Sequence, residues 1–270
     1  MLPYFHLTII HLGPLTIQIW GLIVALGMFL SLIILWYRGK KLGADVEQLL
    51  DLTIWVIISG LIFSRVFHVV FYEPAYYFSA PLEMLKIWKG GMSSFGGIAG
   101  GALGFFWYVW RKKIAKQAII PILDQICLAA IFGWIVGRFG CVFTHLHPGR
   151  LSDSFLAVKF PASAEAAAGK LDGARLDMAV IEILFLIPLA IFFFVMRNKK
   201  MFSGFFLSTL LIYYGILRFI LDFFRATDLM GADARYLGLT PAQYFAILIA
   251  VVGVILSFRP RHSGGGIFQS

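Results

Sequence analysis

Seven apolar stretches separated by short polar breaks leave this chain few ways to fold. They run over about 17–37, 49–72, 92–110, 119–139, 177–196, 202–224 and 242–258. A helix that crosses a bilayer uses roughly 20 apolar residues. Hydrocarbon offers no water to the main chain, so a crossing segment must satisfy its own N–H and C=O groups, and each stretch is predicted as a helix. The expected fold is all-α and integral to the membrane, with about seven transmembrane helices forming one polytopic domain over residues 1–270. Composition agrees, because 60% hydrophobic and 14% charged residues with a mean hydropathy of +0.86 exclude a soluble enzyme on a membrane anchor.

The net charge of +9 is explained by topology rather than by nucleic acid. Basic residues follow the first, third, fifth and seventh stretches: Arg38, Lys40 and Lys41; Arg111, Lys112, Lys113 and Lys116; Arg197, Lys199 and Lys200; Arg259 and Arg261. The positive-inside rule makes that side cytoplasmic, with the N-terminus periplasmic and the C-terminus cytoplasmic. The segments 73–91, 140–176 and 226–241 then lie outside. The middle one, broken by Pro148, Gly149 and Pro161, is expected to form a small periplasmic cap over 140–176. The glycine-rich 262–270 is expected to be a flexible tail. The N-terminus carries no basic residue before its first apolar stretch and no clear cleavage site, so the first span is expected to be retained. Two cysteines, Cys127 and Cys141, offer no disulfide framework.

A charge at the bilayer centre costs at least about 2.5 to 3.5 kcal/mol on insertion scales, so intramembrane ionisable groups face a protein interior or a water-filled cavity. Arg65, Arg138, Arg218 and Arg225 fall in the outer halves of their stretches or at their outer ends and are expected to converge on one polar chamber. Guanidinium forks donate paired hydrogen bonds to an oxyanion and stay charged in a dry site, which suits a phosphate. Helix-to-helix pairing with Glu182, Asp222 and Asp124 is the structural alternative. Arg218, Asp222 and Arg225 recur at helical spacing on one face.

The run 90–104 is the densest in glycine. Gly97 with Gly101, and Gly100 with Gly104, are small residues four apart that let helices approach closely, while Ser93 and Ser94 sit at a helix start where N–H groups can face an anion. The block 137–150, GRFGCVFTHLHPGR, crowds Arg138, Cys141, His145 and His147. It supplies three local metal ligands and no obvious fourth, so no metal is expected. A Cys–His nucleophile pair and a buried apolar cysteine with surface histidines both remain open.

Five blocks in order resemble the prolipoprotein diacylglyceryl transferase family over nearly the whole chain: Trp20-Gly21-Leu22; Ser64-Arg65-Val66-Phe67-His68; Trp88 through Ser93 with Gly96-Gly97; Gly137-Arg138-Phe139-Gly140; and Tyr214-Gly215-x-x-Arg218 with Asp222-Phe-Phe-Arg225. Three positions depart from the family pattern. Phe95 stands where a functionally important histidine is usual, Cys141 where asparagine is usual, and Leu146 at or beside an acidic position. A family His-Pro-x-x-x-Tyr-Glu stretch survives only as the segment 175–182, ending in Glu182.

The resemblance implies a transferase of the bacterial cytoplasmic (inner) membrane without metal or organic cofactor. Its partners are phosphatidylglycerol, other membrane lipid, and prolipoprotein signal peptides bearing a lipobox cysteine. Arg138, Arg218 and Tyr214 are the implied catalytic framework. Arg138, Arg218, Arg225, Arg65, Ser93, Ser94, Gly97, Cys141 and Glu182 form the implied phospholipid site. With Phe95 unable to take a proton, His145 or His147 is expected to replace the missing base, with His68 as a further candidate. A non-catalytic phospholipid or lipoprotein binder, and a phospholipid transferase with a different acceptor, are the alternatives.

Overall fold

The computed structural model describes residues 1–258 except 6, 14, 73, 88–89, 146, 162–164, 167–168, 171–172 and 230–234. The expected tail at 262–270 lies outside the described residues. The protein is a mostly helical integral membrane protein. Its long helices stand at the seven apolar stretches: α1 (Ile19–Leu42), α2 (Val46–Phe71), α4 (Ser94–Arg111), α5 (Lys116–Thr144), α6 (Met178–Met196), α7 (Phe205–Leu221) and α8 (Pro241–Ser257), with a short α3 (Pro74–Ser79) between the second and the fourth. Five of them, α1, α2, α5, α6 and α7 with its continuation to Phe224, are long and apolar enough to cross a membrane. Large apolar side chains such as Phe29, Ile62, Phe106, Phe194 and Ile255 are exposed on the helix surfaces, as lipid-facing positions should be.

The described residues divide into two compact units, 1–31 with 127–258, and 32–126. The first begins with a hairpin that the apolar pattern did not predict: β1 (Ile9–Leu12) pairs antiparallel with β2 (Leu15–Gln18). The start of α1 then packs on the later turns of α5. The two backbones meet at Gly27 and Gly133, where a Cβ on Gly133 would lie 2.1 Å from the Gly27 carbonyl oxygen.

Helix α5 continues four residues past Gly140, so the segment expected from that residue begins later. Its strands β3 (Pro148–Leu151), β4 (Ala157–Lys159) and β7 (Ala174–Asp177) form an antiparallel sheet in the order β3-β7-β4, and two-residue strands β5 (Glu165–Ala166) and β6 (Gly169–Lys170) pair separately. Val158 and Phe160 gather Leu2, Tyr4 and Leu229 around them. Asp177 ends β7 and caps α6, accepting from the Ala179 and Val180 N–H groups at 3.0 and 3.2 Å, a replacement for the partners a helix start lacks. Helix α8 opens with a reciprocal cap between Thr240 and Gln243 and packs along α7.

In the second unit α2 packs along α4. A Cβ on Gly100 would stand 2.3 Å from the Phe63 Cβ, so the glycines at 100 and 104 set a separation that alanine would open. Arg38 lies inside α1 rather than after it, because that helix runs on to Leu42. It is buried and donates to the Gln125 side chain.

Candidate functional site

The first unit assembles one constellation from α5, α6 and α7. Arg138, on α5, directs Nε and Nη2 at the same Glu182 oxygen on α6, each at 2.8 Å. Its Nη1 lies 3.9 Å from the Cys141 sulfur one turn further on. On α7, Arg218 places Nη2 3.2 Å from Oδ1 of Asp222, and Arg225 places Nη1 3.9 Å from the same oxygen. Thr240, capping α8, donates its hydroxyl to the other oxygen of Asp222. Tyr214, one turn before Arg218, packs its ring on Trp134 at 4.4 Å between centroids and lies within electrostatic reach of Glu182, Arg138 and Arg218.

Burial separates the two signs of charge. The Glu182 and Asp222 side chains are 4% and 0% exposed, while those of Arg138, Arg218 and Arg225 keep 16%, 22% and 29%. The carboxylates therefore hold the guanidinium groups from behind and leave part of each to an incoming group. Such a fork can take a second anion without giving up its anchor, since it carries five N–H donors.

The two histidines expected to replace the base have different surroundings. His145 is buried and adopts a positive φ of 46°. Its Nδ1 meets Asp177 at 3.0 Å and its Nε2 meets the Phe5 carbonyl at 2.8 Å. Both nitrogens face acceptors, so the ring ties the end of α5 to the start of α6 and to the N-terminal segment. His147 is half-buried, and among the described residues no hydrogen bond engages its ring. Burial first, then the positive charges of Arg138, Arg225 and Arg218, push this imidazole down to about 3, so it is neutral at physiological pH.

The remaining predicted residues belong to the second unit. Arg65 is buried and gives all five donors to main-chain carbonyls: Nε to Met84 at 2.9 Å, Nη1 to Gly90 and Gly91 at 2.6 and 2.8 Å, and Nη2 to Glu83 and Lys86 at 2.7 and 3.5 Å. It shapes the 83–91 loop, and no N–H remains for a phosphate. Ser93 caps α4 and exchanges hydrogen bonds with Ser64, donating its N–H at 3.0 Å and accepting from the hydroxyl at 2.8 Å. Gly97 also faces Ser64. The side chains of Ser94 and Phe95 lie outside the described residues. His68 packs against Tyr72 and Tyr77.

Asp222 and Thr240 were absent from the predicted site set. The helical spacing of Arg218, Asp222 and Arg225 hinted at the first, but nothing local announces Thr240, which arrives from another helix.

Anchored guanidinium groups that stay partly exposed beside a tyrosine can receive an anion. This chain belongs to the prolipoprotein diacylglyceryl transferase family, whose model matches residues 7–259. It is 30% identical over 265 residues, 96% of this chain and 91% of the other, to the phosphatidylglycerol–prolipoprotein diacylglyceryl transferase of Staphylococcus saprophyticus. The protein of the same name from Chromobacterium violaceum is 29% identical over 97% of this chain and 99% of its own length. That from Roseobacter denitrificans is 30% identical over 84% and 82%.

Proposed function

We infer that this chain transfers the diacylglyceryl group of phosphatidylglycerol to the cysteine thiol of a prolipoprotein lipobox. The observation that carries the reading is the pair Arg138 and Arg218, each anchored by a buried carboxylate and set about Tyr214. The headgroup phosphate of the lipid meets Arg138, Arg218 and Arg225. Sulfur then attacks the glyceryl carbon, the carbon–sulfur bond forms as the bond to the phosphate oxygen breaks, and glycerol phosphate departs. Charge grows on that phosphate during the step, and preorganised cations in a water-poor site stabilise it more than water would. Glu182 and Asp222 hold those cations in place before the substrate arrives.

The alternation of basic loops supports an inner-membrane position with the N-terminus periplasmic and the C-terminus cytoplasmic, an orientation in which the lipobox peptide meets the site from the outer side. The test uses purified protein in phosphatidylglycerol vesicles with a synthetic lipobox peptide. The expected result is a peptide carrying a diacylglyceryl thioether and an equal amount of glycerol phosphate, with no product from phosphatidylcholine vesicles. Lipid binding without any thioether would replace the transferase reading with a binding role.

A further inference from the structure

Transfer to a thiol requires the thiol proton to leave, because the thiolate is the nucleophile, and the position where the family carries a histidine is Phe95 here. We propose that His147 accepts that proton when a phosphodiester headgroup occupies the arginine cluster, and hands it to the departing glycerol phosphate. This rests on the transferase reading and adds the proton path to it.

Main-chain contacts on both sides of His147 hold it at the cluster. Its carbonyl accepts the Met178 N–H at 3.3 Å, and the next carbonyl, of Pro148, accepts the Ala226 N–H at 3.4 Å. Gly149 forms a bridge with Arg225. That approach depends on the glycine, since a Cβ there would lie 2.9 Å from the Phe224 carbonyl oxygen and 2.8 Å from the Leu176 Cβ. The charges acting on His147 are Arg138 from α5, and Arg218 and Arg225 from α7 and the turn after it, with Glu182 and Asp222 behind them. Unlike His145, the ring has no hydrogen-bond partner among the described residues.

Burial first, and then the same arginines, make His147 a poor base in the empty site, and the arginine part of that effect is offset during the reaction. With the cluster empty, three positive charges oppose a fourth on the imidazole. A bound phosphodiester brings one negative charge, and its conversion to a phosphate monoester adds a second as the carbon–oxygen bond breaks. The proton on His147 is thus stabilised most where that charge is greatest, in the transition state and the product complex. This is the differential stabilisation that raises kcat. The step balances: sulfur gains carbon and loses hydrogen, the phosphate oxygen keeps the bonding pair, and the proton passes through the imidazole to the phosphate.

The experiment measures initial rates of thioether formation in phosphatidylglycerol vesicles for wild type, His147→Gln and His147→Ala, with lipobox peptides carrying either cysteine or selenocysteine. A selenol is ionised at neutral pH and needs no base. General bases contribute about 10² to 10⁴ in rate, so both variants should lose about 100-fold or more in kcat with cysteine while keeping the phosphatidylglycerol KM. The selenocysteine peptide should recover most of that loss. Rates within threefold of wild type, or a loss that the selenol leaves untouched, would overturn the role of His147 and leave the transferase reading intact. Wild type that yields no thioether overturns both.

Discussion

Arg65 and Arg138 both stand in apolar helices and both are held by polar partners, but the partners differ in kind. Arg65 meets five carbonyl oxygens, and its charge is solvated by main-chain dipoles alone. Arg138 meets a carboxylate along one edge and a thiol sulfur at 3.9 Å along the other. A sulfur is a weak acceptor and yields readily to a phosphate oxygen, whereas displacing Arg65 from its carbonyls would leave several half-buried acceptors without that donor. The first arginine is therefore part of the loop's architecture, and the second can serve a ligand. An arginine in a membrane helix is diagnostic of a site only once its partners are known.

Substitutions can break this comparison. The largest effect is expected from Arg138→Gln, which should lower thioether formation by about 10³-fold, the scale of losing a donor to a developing oxyanion. The apparent Tm of the variant in detergent should also fall, because Glu182 is left buried without its guanidinium partner, so the rate is taken on the folded fraction. Arg65→Gln should destabilise the protein while sparing the lipid site. Unsatisfied buried groups cost about 1 to 3 kcal/mol each, so thermal unfolding should shift down strongly, while the fraction that stays folded keeps the wild-type KM for phosphatidylglycerol. A raised KM in folded Arg65→Gln would put that residue on the lipid after all.

The smallest effect concerns pH and reads the burial of His147 together with the arginine field around it. An imidazole of ordinary value 6.5 that is held at about 3 in the folded protein binds its proton more readily when unfolded. Its contribution to stability is complete above pH 6.5 and is lost progressively as pH falls toward 3. At pH 5 the loss is about 2 kcal/mol. His147→Gln should remove this acid sensitivity, and saturating phosphatidylglycerol should reduce it in wild type by cancelling part of the field. An acid-dependent Tm identical in wild type and variant would show that neither burial nor the arginines hold the proton off His147.

The pattern of apolar stretches determined by itself that this is a helical membrane protein, because hydrocarbon admits helices of a known length and little else. The same pattern hid the β1–β2 hairpin and the β3-β7-β4 sheet, whose short strands pair only after the chain has folded back. The identity of the arginines was also legible, since a guanidinium in a 20-residue apolar run demands a polar partner. Which partner it finds was not. Arg65 and Arg138 look alike along the chain, as do His145 and His147, and they part only when loops and helices distant in sequence close around them. Asp177 and the Phe5 carbonyl occupy one imidazole, and burial with the charge of three arginines acts on the other. Thr240 reaches Asp222 from a different helix. Spacing along a chain says which chemical groups are available, and tertiary contacts decide which donors are consumed by the protein and which are left to a substrate.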